Sequence, residues 1–386
     1  MSNFPRKLIK KLDERSLNGS LRQLSEGQHL VDFSSNDYLG ISLNKSIPQR
    51  AEDICQSLGV AKNGATGSRL LSGNHTLYTV VEKMLCNRHE VEAALVFNSG
   101  YDANLGFFST IPQRGDLVFY DDLIHASIRD GITLGNATSF KFKHNNLDDL
   151  AAKVVKRKKE VEQPNTEVYV VTESVFSMDG DSPDLKALVD FCKESNFHLI
   201  VDEAHAIGVF GIKGEGLVQQ LGLQESVFAR VITFGKGIGA HGAAVLGSKS
   251  LIQYLTNFCR SFIYTTGLPP HSLAVILAAY ESLEEKDIRK LHTKITYFKK
   301  RCKELEISDY FLPSNSAVQC CVISGNEEVK HASSILKALG FDVRPILSPT
   351  VSKGNERLRF CLHIYTLEKD IDTVLNGLSK LLDNEK

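Results

Sequence analysis

The chain has no surplus of either charge: across 386 residues, 45 lysines and arginines face 46 aspartates and glutamates. So balanced a protein has no field of one sign to hold it on nucleic acid or an anionic membrane, and a small-molecule substrate is the expectation. It also lacks any CxxC pair. The scatter of its cysteines (Cys55, Cys86, Cys192, Cys259, Cys302, Cys320, Cys321 and Cys361) argues against a zinc cluster or a compact disulfide framework. They read as reduced, mostly core residues, and no metal is expected. No apolar run approaches the roughly 18 residues that span a bilayer, and the opening MSNFPRKLIKKLDERSL turns polar too soon for a secretory signal. A cytoplasmic location follows as an expectation. A GxxxxGK[ST] phosphate loop is missing as well, which tells against a nucleotide hydrolase. There is no internal repeat or low-complexity tract.

What is present is material for a core: 42% of the residues are hydrophobic, enough at this length for one large domain and a smaller one. Residues 3–24 read as a charged amphipathic helix and 29–40 (HLVDFSSNDYLG) as a short strand entering a polar turn, together an N-terminal arm over 1–45. From about residue 76, helix-length segments alternate with the short apolar runs ALVF (94–97), LVFYD (117–121), EVYVVTE (167–173), HLIVDEA (198–204) and RVITF (230–234), with GAAVLGS (242–248) as another strand. This alternation predicts an α/β domain over 46–280, a mostly parallel sheet with helices on both faces. A largely helical stretch over 269–306 leads to AVQCCVIS (317–324), a helix near 327–339, FDVRPI (341–346), RLRFCLHI (357–364) and a last helix from 367. They predict a small C-terminal α+β domain over 281–386. The run KVVKRKKEVE (153–162) reads as a solvated helix face.

In a sheet of this kind ligands gather at the carboxyl ends of the strands, so the residues just after each apolar run are the candidates. NSGYDAN (98–104) precedes a helical pattern, and its small residues can aim backbone N–H groups at an anion or simply form a strand-to-helix turn. Asp202 opens DEAH (202–205) at a strand end. It is either a salt-bridged structural aspartate or a carboxylate that keeps a pyridinium nitrogen protonated, with His205 reaching a phenolic oxygen of the same ring. TFGKGIGAHGAA (233–244) weighs toward the second. Gly237, Gly239 and Gly242 match GxGxxG, yet the following AAVLGS reads as a strand where a dinucleotide site needs a helix. A lysine flanked by glycines in a tight loop suits a planar carbonyl cofactor better, because lysine forms Schiff bases and the small neighbours leave room. Lys236 therefore gains its meaning from Asp202 one strand earlier. His125, in DLIHASIRDG, is either structural or a group that stacks on the cofactor ring, while Ser177 and Thr233 can supply hydroxyls to the ring oxygen and phosphate.

In order along nearly the whole chain, SSNDYLG, GSRLLSGN, NSGYDAN, IHASIRDG, TESVFSMDGD, DEAHAIG, TFGKGIGAHGAA, IYTTGLPP and RLRF resemble the α-oxoamine synthases of the fold-type I pyridoxal-phosphate (PLP) enzymes. The resemblance implies a fold-type I PLP-dependent transferase, a homodimer, and decarboxylative condensation of an amino acid with an acyl thioester of coenzyme A or an acyl carrier protein. It makes Lys236 the Schiff-base lysine, Asp202 the ring-nitrogen partner, His205 a contact to the phenolic oxygen and His125 the stacking residue. Gly100 and Tyr101 match backbone phosphate contacts, Thr233 a phosphate hydroxyl, and Thr266 a phosphate contact from the neighbouring subunit. Asn36 and Arg359 match positions that handle the amino-acid carboxylate, and Arg22 and Arg344 match arginines near the acyl substrate. GSRLLSG and RPILSPTVSKGNERLRF favour L-alanine and a pimeloyl thioester, giving 8-amino-7-oxononanoate for biotin synthesis, over the glycine-using and serine-using members. A non-catalytic subunit of the same fold is the alternative of another class, and the presence of Lys236, Asp202 and His125 tells against it. The segment from Arg22 to Phe33 is shorter than in typical members, and Asp102 and His241 stand where small residues are usual.

Overall fold

Runs of five or six residues rich in valine, isoleucine, leucine and phenylalanine, most of them buried on both faces, build a sheet of seven strands. Its order is Ala93–Phe97, Ala243–Gly247, Ala229–Thr233, His198–Asp202, Val168–Glu173, Leu117–Asp121 and Thr138–Phe142. Ala243–Gly247 runs antiparallel to both its neighbours, and the remaining pairs are parallel. The structure is a computed structural model that describes residues 4–22, 24, 29–161 and 165–384. The edge strand Thr138–Phe142 departs from the sequence expectation. Its residues TSFKF are mostly exposed, so no apolar run marks it.

Two compact units divide the chain: Asn36–Ser177 with Asp181–Leu291, and Met1–Ser35 with Met178–Gly180 and His292–Lys386. In the first unit, helices Gly100–Thr110 and Ala126–Leu134 contribute Ala103, Phe107, Phe108, Ile128 and Ile132 to one core with Val118, Val171, Ile200, Val231 and Val245 of the sheet. Each valine, isoleucine and phenylalanine among them stabilises the fold by roughly 1.5–3 kcal/mol on burial. Gly131 lets these two helices touch, since a Cβ there would stand 2.8 Å from the Asn104 carbonyl oxygen and 2.9 Å from Phe108 Cβ. The helical stretch expected over 269–306 is two helices, Pro270–Ser282 and Glu285–Glu304.

The loop after His198–Asp202 and the loop after Ala229–Thr233 meet backbone to backbone. Gly208, at φ +79°, would place a Cβ 3.0 Å from the Gly237 backbone, and a Cβ on Gly237 would collide with the Ile207 carbonyl oxygen. Only glycine fits this approach.

In the other unit, Arg344–Ile346, Arg357–Cys361 and Val318–Val322 form an antiparallel sheet, and Val31–Asp32 pairs in parallel with Phe341–Asp342. The run FDVRPI thus divides at Val343 between two sheets. Asp32 ties down the N-terminal segment: its Oδ2 accepts the Ser35 hydroxyl at 2.5 Å and the Tyr365 hydroxyl at 3.0 Å. Burial works to raise its pKa, but the Ser35 hydroxyl and the Ser35 and Ser34 amides lower it to about 2. The N-terminal helix is shorter than its sequence suggests, Arg6–Leu17, and buries none of its residues. Among the described residues no helix is long and apolar enough to cross a membrane.

Candidate active site

Three adjacent strands end on Glu173, Asp202 and Thr233, and all three residues line one cleft of about 240 Å³. The loops that follow these and the Leu117–Asp121 strand add His125, His205, Lys236 and His241 to its wall. This is the strand-end position at which parallel sheets bind ligands.

Asp202 is 5% exposed, and both its oxygens are held. Oδ2 accepts from Asn104 Nδ2 at 2.8 Å and Oδ1 from the Ala204 amide at 2.9 Å. Asn104 lies one turn into the Gly100–Thr110 helix and also donates to the Ser127 hydroxyl at 3.1 Å. Lys236 Nζ stands 2.8 Å from His205 Nε2, and His205 Nδ1 stands 2.6 Å from the hydroxyl of the fully buried Tyr38.

His125 caps the Ala126–Leu134 helix, its Nδ1 accepting the Ser127 amide at 3.2 Å, and its own amide donates to Glu173 Oε1 at 2.6 Å. Crowding by protein atoms lowers the imidazole pKa, against the pull of the Asp202 charge and with the help of Lys236. Glu173 is the reverse case. Burial, then the charge of Asp202, pushes its pKa well above the usual carboxylate range, while Lys236 and the His125 amide oppose the shift.

At the other end of the cleft, Ser99 caps the helix that begins at Gly100, its hydroxyl accepting the Asp102 amide at 3.1 Å and donating to Asp102 Oδ2 at 2.8 Å. Amides of the first helical turn point out of a helix with no partner inside it. Thr233 Oγ1 is buried there with no hydrogen-bond partner among the described residues, and Gly100 packs against the Thr233 methyl where a Cβ would collide. An orphaned hydroxyl on the residue packed against a helix N-terminus belongs to the donor set a phosphate needs. A buried carboxylate, a lysine amine and this phosphate cradle in one cleft fit pyridoxal phosphate. Tyr101 lines the cleft and its hydroxyl donates to Asp130.

Other residues singled out by sequence lie elsewhere. Ser177 is half-buried and is not among the lining residues. Thr266 is exposed and also outside the lining, its carbonyl accepting Asn98 Nδ2 at 2.8 Å. Asn36 Oδ1 accepts the Tyr38 hydroxyl at 3.2 Å. Arg359, Arg344 and Arg22 belong to the second unit. Arg359 is buried, with Nη1 2.9 Å from Cys361 Sγ; Arg344 is exposed and paired with Asp342 at 2.9 Å; Arg22 is exposed, with Nη2 3.4 Å from Thr350 Oγ1. Asp102 and His241, the departures from the usual pattern, sit at the helix cap and on the cleft wall.

Sequence reading passed over Glu173, Asn104 and Tyr38. Glu173 carries the same signal as Asp202, a carboxylate closing an apolar strand, and Asn104 closes the NSGYDAN motif one helical turn after Gly100.

The family model for class I and II aminotransferases matches residues 28–378. A putative 8-amino-7-oxononanoate synthase of Halalkalibacterium halodurans is 38% identical over 356 residues, covering 92% of this chain and 88% of the relative. The 8-amino-7-oxononanoate synthase of Emericella nidulans is 39% identical over 367 residues, with 91% and 89% covered. Of solved structures, serine palmitoyltransferase from S. paucimobilis with PLP bound is similar at a TM-score of 0.86 and 25% identity, over 98% of this chain and 97% of that one. The 8-amino-7-oxononanoate synthase of Francisella tularensis is similar at a TM-score of 0.76 and 27% identity, over 92% and 98%.

Proposed function

Since this chain belongs to the class I and II aminotransferase family, and within it to the PLP-dependent acyltransferases known as α-oxoamine synthases, we propose that it condenses L-alanine with a pimeloyl thioester. The products are 8-amino-7-oxononanoate, CO2 and the free thiol of the carrier. The observation that carries this choice is the name shared by relatives 38% and 39% identical across about nine-tenths of both chains.

Pyridoxal phosphate, when bound, supplies an electron sink for the bonds at the amino-acid α-carbon. Lys236 would hold it covalently and, once released as an amine, take the α-proton at Nζ. Asp202 would keep a proton on the ring nitrogen, its carboxylate oriented from behind by Asn104 and the Ala204 amide. His125 would cover one ring face, with His205 and Ser177 toward the ring oxygen. Thr233 and the amides of Gly100 and Tyr101 would take the phosphate, completed by Thr266 of a second copy in a homodimer. The substrates carry two carboxylates, one on alanine and one at the far end of the pimeloyl chain. Asn36 and Arg359 are the proposed partners of the first, Arg344 and Arg22 of the second, because a guanidinium grips a carboxylate with two parallel hydrogen bonds. A cytoplasmic location belongs to the same reading.

The serine palmitoyltransferase likeness, with its higher TM-score, favours a second reading in which serine and a longer acyl thioester are joined. Spectral titration of the PLP-loaded protein with alanine, glycine and serine, followed by a panel of coenzyme A and carrier-protein thioesters, separates the two. Turnover greatest with alanine and pimeloyl thioester is the expected result. Preference for serine and a long acyl chain replaces the first reading by the second, and no turnover with any pair removes both.

A further inference from the structure

Asn98 follows the last residue of strand Ala93–Phe97 and precedes the Ser99 cap of the helix that carries the phosphate cradle. It is not among the residues that line the cleft. Its side chain turns instead to the loop between helices Arg260–Ile263 and Pro270–Ser282, where Nδ2 donates to the Thr265 hydroxyl at 3.1 Å and to the Thr266 carbonyl oxygen at 2.8 Å. A carbonyl oxygen only accepts, so the amide nitrogen of Asn98 must face the loop, and both its hydrogens are spent there.

The loop depends on this side chain. Farther along, Gly267 donates its amide to the Gly67 carbonyl at 3.0 Å and Leu268 to the Tyr78 hydroxyl at 2.7 Å. Among the described residues, Thr265 and Thr266 have no hydrogen-bond partner but Asn98. The cradle, by contrast, has supports of its own. Phe97 is held in the ladder opposite Ala243, and Ser99 exchanges hydrogen bonds with Asp102. Loss of the Asn98 amide would therefore free Thr265 and Thr266 and leave the Gly100 and Tyr101 amides in place.

Thr266 is exposed and lies outside the lining of its own chain's cleft. We propose that Asn98 is a positioning residue that acts in trans, holding the Thr266 hydroxyl where the phosphate site of a second copy can use it. The cofactor affinity of each site is then set in part by the Asn98 of the other chain. The inference rests on the reading in which Thr266 of one copy completes the phosphate site of its neighbour, and it adds the residue that aims the threonine.

Hybrid dimers test it. Two differently tagged copies are combined so that one keeps Lys236 and the other carries Lys236→Ala, and borohydride trapping during a PLP titration then reads the single remaining lysine site. Asn98→Leu keeps the branched shape without the amide. Placed on the Lys236→Ala copy, it should raise the PLP concentration for half-saturation about tenfold, through the two hydrogen bonds lost. Placed on the copy that keeps Lys236, it should leave half-saturation within about twofold of the unsubstituted hybrid. A general loss of folding would act in both arrangements. An equal or greater effect in the second arrangement, or none in the first, overturns the proposal. Thr266→Ala in the same two arrangements keeps the readings apart. If it weakens trapping from the Lys236→Ala copy while Asn98→Leu does not, the shared site stands and the role of Asn98 falls. If Thr266→Ala has no effect from that copy, or the chain proves monomeric, the shared site falls and the proposal with it. Should Asn98→Leu not fold, Asn98→Ser, too short to reach the loop, takes its place.

Discussion

Glu173 and Asp202 stand in register on adjacent parallel strands, so two buried carboxyl groups share the floor of one cleft. Two neighbouring carboxylates out of water cannot both ionise cheaply. The charge of Asp202 adds to burial in raising the pKa of Glu173.

Stability should therefore depend on pH through Glu173 with a definite sign. A carboxyl whose folded pKa is raised holds its proton in the folded chain after the unfolded chain has released it. The fold then loses stability as pH rises above the ordinary glutamate range. Glu173→Gln removes this titration and keeps an oxygen for the His125 amide. Its melting temperature, relative to wild type, should be higher at pH 8 than at pH 4. An equal difference at both pH values would show that Glu173 ionises normally.

His144 gives a pH dependence of the same sign, from charge gained rather than charge withheld. Its Nδ1 is 2.9 Å from Asp121 Oδ1 and its Nε2 2.8 Å from Asp181 Oδ2. Burial lowers its pKa, but hydrogen bonds and charge from both aspartates outweigh this and raise it to about 10. The stabilisation is complete below the ordinary histidine pKa and disappears as pH climbs toward about 10. His144→Gln should destabilise by about 1–2 kcal/mol at pH 6, a modest figure for a part-exposed pair, and by less at pH 10. Denaturant melts at the two pH values measure it, and a constant difference would contradict the charged clamp.

Asp202→Asn should not be a silent isostere. One Asp202 oxygen accepts from the Asn104 amide and the other from the Ala204 N–H, so an introduced NH2 must face a donor whichever way it turns. A cost of about 1–3 kcal/mol in stability follows, with turnover reduced at least about a hundredfold as the ring nitrogen loses its anion. Parallel melting and rate measurements check both; wild-type turnover would contradict the proposed role of Asp202.

Lys236→Ala should abolish turnover and leave no cofactor trapped on the chain by borohydride. Mass spectrometry of the treated protein identifies any other lysine that takes its place, which would refute the assignment. Mixing Lys236→Ala subunits with subunits inactivated at Thr266 should restore activity if the phosphate site is shared between copies. Activity that remains zero after mixing would count against the shared site.

Strand ends were readable because the central strands are buried on both faces and appear as unbroken apolar runs such as HLIV before Asp202. Thr138–Phe142 was not, because an exposed edge strand has no apolar period to detect. In the cleft, Lys236, Asp202, His205 and His125 could be found from their positions just beyond those runs. Tyr38 could not, since its meaning lies in a contact with His205, 167 residues away in the chain. Glu173 was hidden by the strand it completes: it reads as the polar end of EVYVVTE until its register with Asp202 is known.

The contact of Gly208 with Gly237 has a mechanical consequence for the lysine and histidine that the two loops carry. With no side chain between the two loops, there is no rotamer to absorb a displacement, and each backbone is the other's stop. The backbones that carry His205 and Lys236 are therefore held at a fixed spacing. A single methyl group at position 237 would act as a wedge, parting the lysine amine from the imidazole without touching either.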